Sequence, residues 1–203
     1  MADNIAADKL DDFVAEIDSG GRKPLGMVAT FVASLAFVWS AFQLFLASSI
    51  PFWLSQNIGV NLVFNNQEAR QIHLAFAIAL ATLAFPLFKK SPKTRIPTYD
   101  WILAILGVTS CLYLLIFKDD IANRAGLPTI ADLIISTIGM VSIALAVFRS
   151  LGLPMLMVAS VFVLYVFAGH LSFMPEVVQW KGASFGKAMW HFWMQTEGVF
   201  GVA

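Results

Sequence analysis

Apolar residues run in long blocks along this chain, and charged residues are confined to the block edges. No charged side chain occurs between Lys23 and Glu68, Arg70 and Lys89, Asp100 and Lys118, Asp132 and Arg149, or Arg149 and Glu176. Each gap fits a helix able to cross roughly 30 Å of hydrocarbon, which takes about 17–25 residues. The pattern predicts five spanning helices. The first runs from Leu25 to about Ser49 and is stopped by Ile50-Pro51; the second runs from Ile72 to Phe88, with Pro86 near its end. The third covers Trp101 to Phe117, the fourth Ile130 to Phe148, and the fifth Leu153 to about Gly169. The expected fold class is all-α and integral to a membrane.

Two other stretches mix aromatic and polar residues without a span-length apolar run. Pro51 to Gln67 is uncharged and sets Phe52, Trp53, Leu54, Val60, Leu62, Val63 and Phe64 among Asn and Gln. It reads as a loop or short helix at the outer membrane surface. Phe173 to Glu197 is similar, and its Trp180, Trp190 and Trp193 suit the headgroup level.

Composition agrees. Of 203 residues, 59% are hydrophobic and 13% charged, against roughly 25% charged in a soluble domain. The net charge is zero and no basic block is interleaved with aromatics, so nothing points to nucleic acid. Cys111, the single cysteine, lies in an apolar run and reads as a small packing residue. Met1 to Asp18 is acidic and lacks the apolar core of a signal peptide. Lysine and arginine set the orientation. Lys9, Arg22, Lys23, Lys89, Lys90, Lys93, Arg95 and Arg149 fall on one side, eight of 13 basic residues, against Arg70, Lys118, Arg124, Lys181 and Lys187 on the other. The KKSPKTR side is taken as cytoplasmic, which puts the N-terminus inside and the C-terminus outside.

Ionisable groups within a membrane mark transport paths and proton relays, and the mid-depth positions here hold none. Asp100 and Asp132 stand at helix starts. Thr129 as N-cap and Asp132 three residues on resemble a capping box, with Asp replacing the usual Glu, and Asp100 favours its helix N-terminus electrostatically. His73 opens the second helix, His170 closes the fifth and His191 lies in the outer amphipathic stretch. Paired histidines between helices hold haem in some membrane proteins, but at boundary positions simple interfacial polarity ranks above ligation. Cys-x-x-Cys-His, His-Glu-x-x-His and phosphate-loop motifs do not occur. No metal or cofactor is expected, and no enzymatic activity.

Small residues sit on shared helix faces. Ser136, Gly139, Ser142 and Ala146 follow at steps of three, three and four, and the second helix repeats Ala75, Ala79 and Ala77, Ala81. Such faces let backbones approach closely in lipid, either within this chain or against another subunit. Near the C-terminus, Phe185, Met189, Phe192 and Trp193 form an apolar stripe on a helix from Ser184, its N-cap, to Thr196. Glycines and charges argue against a sixth span. The stripe, with Glu197 beyond it, is expected to lie along the outer membrane face as a docking element.

The blocks ARQIHLAFAIALA (Ala69 to Ala81), DWILAILG (Asp100 to Gly107), NRAGLPTIADLIISTIGM (Asn123 to Met140) and TEGVFGV (Thr196 to Val202) resemble fused permeases of tripartite ATP-independent periplasmic (TRAP) transporters. The resemblance runs from about Arg22 to the C-terminus and is nearest to the 4TM/12TM fusion type, which works with TAXI-class binding proteins. It implies a small Q-like domain of four helices over residues 25–149, a connector span over 150–170, and a periplasmic-side segment over 171–203 leading toward a large M-type domain absent from this chain. Residues 1–24 would form a cytoplasmic arm. The implied role is scaffolding within a bacterial inner-membrane permease, which takes up an organic anion delivered by a periplasmic binding protein. Sodium is the implied coupling ion of the complete transporter, not bound by this chain. Two other readings stand beside it: a haem-binding or anchoring subunit of a redox complex using His73 and His170, and a structural assembly protein.

Overall fold

The computed structural model describes residues 20–59, 62–88, 90–171 and 175–201. The acidic stretch Met1–Asp18, with Lys9, lies outside them, as do Val60, Lys89 and Phe173. The described residues are helical, without strands. We number α1 (Met27–Ala47), α2 (Ile50–Ile58), α3 (Asn66–Ala84), α4 (Thr98–Ile116), α5 (Lys118–Asn123), α6 (Ile130–Leu151) and α7 (Leu153–Ala168). A short 3₁₀ turn (Glu176–Val178) follows, then α8 (Phe185–Met189), which passes directly into a π-helical turn (Trp190–Met194).

By length and composition, α1, α4 and α6 are long and apolar enough to cross a membrane. That is fewer than the five helices the charge gaps predict. The other two differ for identifiable reasons. Helix α7 is apolar but only 16 residues long. Helix α3 starts six residues before the expected Ile72, because Asn65 and Glu68 form a reciprocal capping box, and so it takes Glu68 and Arg70 into its first turns. It ends at Ala84, since Phe85 precedes Pro86 and is extended, as the residue before proline is driven to be. Ile50-Pro51, expected only as a stop, instead opens α2 with proline in its first turn, where its missing N–H costs nothing.

Helices α3, α4 and α6 form the packed centre. Their buried residues are mostly small and recur at helical spacing: Ala75, Ile78, Ala79 and Leu83 on α3; Ala104, Gly107, Ser110, Cys111 and Leu114 on α4; Ser136, Gly139, Ser142 and Ala146 on α6. At the crossing, a Cβ on Gly107 would stand 2.5 Å from Ile78 and 3.2 Å from Ser142. Only glycine lets three helices meet there. Helix α1 lies on α3 through Trp39 against His73 and Phe42 against Phe76, and on α4 through Phe31 against Trp101. Neither α1 nor α7 has a buried residue, so each flanks the centre with an exposed apolar surface. The turn from α6 to α7 is a single residue, Gly152, whose φ of 82° admits glycine easily.

After α7 the chain folds back on itself. Trp180 N–H donates to Gly169 O at 3.0 Å and Ala183 N–H to Val166 O at 3.0 Å, while Tyr165 hydroxyl donates to Val178 O. Beyond that point α8 and the π turn enter the bundle against α6.

Candidate functional site

The functional features are two polar clamps, one at each end of the bundle, and the C-terminal wedge between them. At one end α3 stops before Pro86, leaving its last carbonyls without helical donors. Two arginines supply them. Arg149, in the last turn of α6, donates to Thr82 O at 3.0 Å and Phe85 O at 3.1 Å. Arg22 donates its side chain to Leu83 O at 3.3 Å and its backbone N–H to Ala84 O at 2.7 Å. Asp100, in the first turn of α4, then lies between them. Arg22 donates to its Oδ2 at 2.5 Å, and Arg149 stands 2.7 Å from its Oδ1. All three side chains are fully buried.

Two guanidiniums and one carboxylate carry a net positive charge. The partial negative charge at the C-terminus of α3 faces it, which explains how so polar a group is tolerated in an apolar bundle. Asp100 stands in the first turn of α4, at the helix start where the sequence reading put it, and its carboxylate also joins the segment before α1, α4 and α6 around the end of α3. The backbone bond from Lys23 N–H to Lys93 O, 3.0 Å, brings the KKSPKTR loop to this same end.

The opposite clamp centres on Asp132. Thr129 is the N-cap of α6: its Oγ1 accepts from Asp132 N–H at 3.2 Å, and its own N–H donates to Asp132 Oδ2 at 2.9 Å. Arg124 adds a two-pronged ion pair, Nε to Oδ2 at 3.0 Å and a terminal nitrogen to Oδ1 at 2.8 Å. The Tyr113 hydroxyl donates to Oδ1 at 2.8 Å from the end of α4. Nearby, Lys118 of α5 pairs with Glu68 at 2.9 Å, and this hydrogen bond holds the ammonium pKa above its ordinary value. Arg70 donates to Phe200 O at 2.9 Å and fastens the chain's C-terminal stretch to α3. Replacing Thr129 by Ala should cost about 1 kcal/mol, as cap losses do. Asp132→Asn should cost more, since it also weakens the Arg124 pair. Thermal unfolding in detergent reads both, and equal costs would show that Arg124 adds nothing to the cap.

The C-terminal stripe is placed differently from the sequence expectation. Trp193 is completely buried and Met189 is 6% exposed, so neither remains on a docking face. Trp190 is buried as well, so both Trp190 and Trp193 pack inside the bundle. The Trp193 indole crosses onto Gly139 of α6, where a Cβ would lie 2.3 Å from two ring carbons. Its N–H donates to Ser110 O at 3.2 Å, and Phe200 meets its ring edge-on at 5.2 Å. The stripe Ser136, Gly139, Ser142 and Ala146 thus faces inward, and its glycine receives this chain's own wedge. Trp190 to Met194 form a π-helical turn, off the α-helical register of Phe185, whereas Met189 is already buried within α8 itself. Phe185 and Glu197 stay exposed, and Phe192 is half-buried. Ser184 stands at the N-cap of α8, but its side chain makes no cap bond.

The histidines fall in three separate settings. His73 lies two turns inside α3, with Gln43 at 2.7 Å and Trp39 at 3.3 Å from Nδ1. His170 packs on Gly182 beyond α7, and His191 Nδ1 donates to Gln195 Oε1 at 2.9 Å. Among the described residues, no group of three or more His, Cys, Asp or Glu is placed to hold a metal.

These elements define an all-helical protein with three helices long and apolar enough to cross a membrane, tied at one end by the fully buried Asp100 ion pairs and at the other by the part-buried Arg124–Asp132 pair. Comparison of the chain with protein-family models, with curated proteins and with solved structures finds no match.

Proposed function

We propose that this chain is the small, scaffold-forming part of a TRAP-type permease, crossing the bacterial inner membrane five times with its N-terminus in the cytoplasm. In this reading α1, α3, α4, α6 and α7 are the crossings. Helices α3 and α7 complete theirs with the polar first turns of α3 and the apolar residues flanking α7. The complete transporter would use an ion gradient, with sodium as the coupling ion, to take up an organic anion delivered by a periplasmic binding protein. A large M-type domain would move the substrate, while this chain widens the fixed frame.

One observation carries the reading. The blocks that resemble TRAP permeases are the beginning and middle of the three central helices: ARQIHLAFAIALA in α3, DWILAILG in α4, and NRAGLPTIADLIISTIGM across the Thr129 cap into α6. Their buried charges are spent on one another at the bundle ends, Asp100 with Arg22 and Arg149, Asp132 with Arg124. Such pairs fix helices against each other, as a scaffold requires, and a moving substrate path would need them free.

The test has two parts. Single cysteines at Ser91 and Asn66, in a background lacking Cys111, should react from opposite sides with an impermeant reagent, position 66 from outside. The chain is then co-expressed with an M-type permease and a TAXI-class binding protein. Stable co-purification, with sodium-dependent carboxylate uptake that is lost when this chain is omitted, is the expected result. Failure to co-purify would sink the transporter reading, and a haem absorption band in the purified chain would favour the redox alternative.

A further inference from the structure

We propose that the cavity between the end of α7 and the α8–π segment is a binding site for the headgroup of an anionic phospholipid in the outer leaflet. The proposal rests on the five-crossing reading above, which puts the C-terminal end of α7 at the outer surface. It does not depend on the transporter partner.

The cavity has a volume of about 590 Å³ and is lined by Val166 of α7, Trp180, Trp190 and the polar trio Lys187, His191 and Gln195. That volume lies within the range of small-molecule sites, roughly 300–1,000 Å³. Its composition is that of a headgroup pocket. The indoles of Trp180 and Trp190 suit the boundary between hydrocarbon and water. Lys187 brings a positive charge, and the described lining contains no carboxylate. Gln195 Oε1 accepts from His191 Nδ1, which turns the Gln195 amide NH₂ into an available donor. Trp190 adds the face of a largely buried indole to the wall.

The apolar half of the ligand has a track of its own. Val158, Phe162 and Val166 lie four residues apart along α7 and so form one stripe. Val158 and Phe162 are exposed, 55% and 68%, and the stripe ends at Val166 in the cavity wall. A phosphodiester at Lys187 and Gln195 would let an acyl chain run down this stripe. A soluble phosphate ester offers the same head chemistry without the chain.

The full chain, purified in detergent, is titrated with phosphatidylglycerol, with diacylglycerol and with glycerol 3-phosphate, and read by native mass spectrometry and thermal unfolding. Phosphatidylglycerol should bind and raise the unfolding temperature, and the other two should do neither at the same concentration. Lys187→Glu, at an exposed position, should weaken phosphatidylglycerol binding about tenfold or more, the loss of a charge-assisted contact. Val166→Trp fills the cavity without changing its charge and should reduce binding as strongly. Binding unchanged in both variants overturns the site. Equal binding of diacylglycerol overturns headgroup recognition, and equal binding of glycerol 3-phosphate makes the ligand a soluble anion and overturns the lipid. Cysteine labelling at positions 66 and 91 separates the failures: opposite-sided labelling without lipid binding removes this site alone, and same-sided labelling removes the membrane topology beneath it.

Discussion

Replacing Asp100 by Ala should destabilise the protein by about 3–5 kcal/mol, the cost of removing one partner from a buried ion pair. The expectation comes from what would be left behind. Arg22 and Arg149 both point at this carboxylate, 2.5 Å and 2.7 Å away, with side chains fully buried. Without it, two guanidiniums face each other with only the carbonyls at the end of α3 to offset them. Arg149→Met should cost less than Asp100→Ala. It removes two carbonyl contacts, but it leaves a neutral Arg22–Asp100 pair. The ordering is the informative quantity, read as the shift in thermal unfolding of purified protein in one detergent. If Arg149→Met proved as damaging as Asp100→Ala, charge imbalance would not be what the clamp controls. Arg22→Met should also lower stability, because the clamp uses that residue's side chain.

How much of this was legible in the sequence depended on distance along the chain. The Thr129–Asp132 cap spans three residues, so its reciprocal bonds could be read from residue types and spacing alone. The Ser136, Gly139, Ser142, Ala146 stripe was legible for the same reason, since helical periodicity names a face. What that face meets is a long-range fact, and periodicity does not carry it. The Asp100 clamp joins residues up to 78 apart, and Asp100 alone gives the same local signal as any acidic residue in a first helical turn. A weak clue existed: Arg22, Asp100 and Arg149 are charges of opposite sign near helix ends assigned to one membrane side. Unlike charges stranded at the same depth are candidates to pair. The early start of α3 was lost to the charge-gap argument, which began the helix after Arg70, although Asn65 and Glu68 already carried capping-box spacing. The C-terminal stripe shows a different limit. Its helical start was readable, but the π turn after Met189 broke the register, and no local feature of Trp190 to Met194 announces that change.

The second large effect lies at the wedge. Trp193→Ala should cost about 3–5 kcal/mol, the range for emptying a large buried aromatic site, and should free the chain from Phe185 onward for proteolysis. Gly139→Ala tests the contact from the other side. Its new methyl would fall 2.3 Å from the Trp193 ring carbons. The ring cannot turn aside cheaply, because its N–H is held by Ser110 O and its edge by Phe200. Overpacking of this kind costs about 1–3 kcal/mol. The same substitution in a Trp193→Ala background should reverse sign. The clash is gone, and alanine is favoured over glycine within a helix by about 1 kcal/mol. A double-mutant cycle therefore predicts strong coupling between two residues 54 positions apart in sequence. Additive effects would mean that the indole does not occupy the Gly139 notch. If the coupling is found, loosening the wedge in the permease assembly proposed above supplies a further measurement. The wedge carries Glu197 and the TEGVFGV stretch, where the resemblance places the approach to the large domain. Gly139→Ala should then lower uptake while the topology and the Asp100 clamp stay intact, and Trp193→Ala should lower it further. Unchanged uptake in both variants would limit the wedge to stabilising this chain alone.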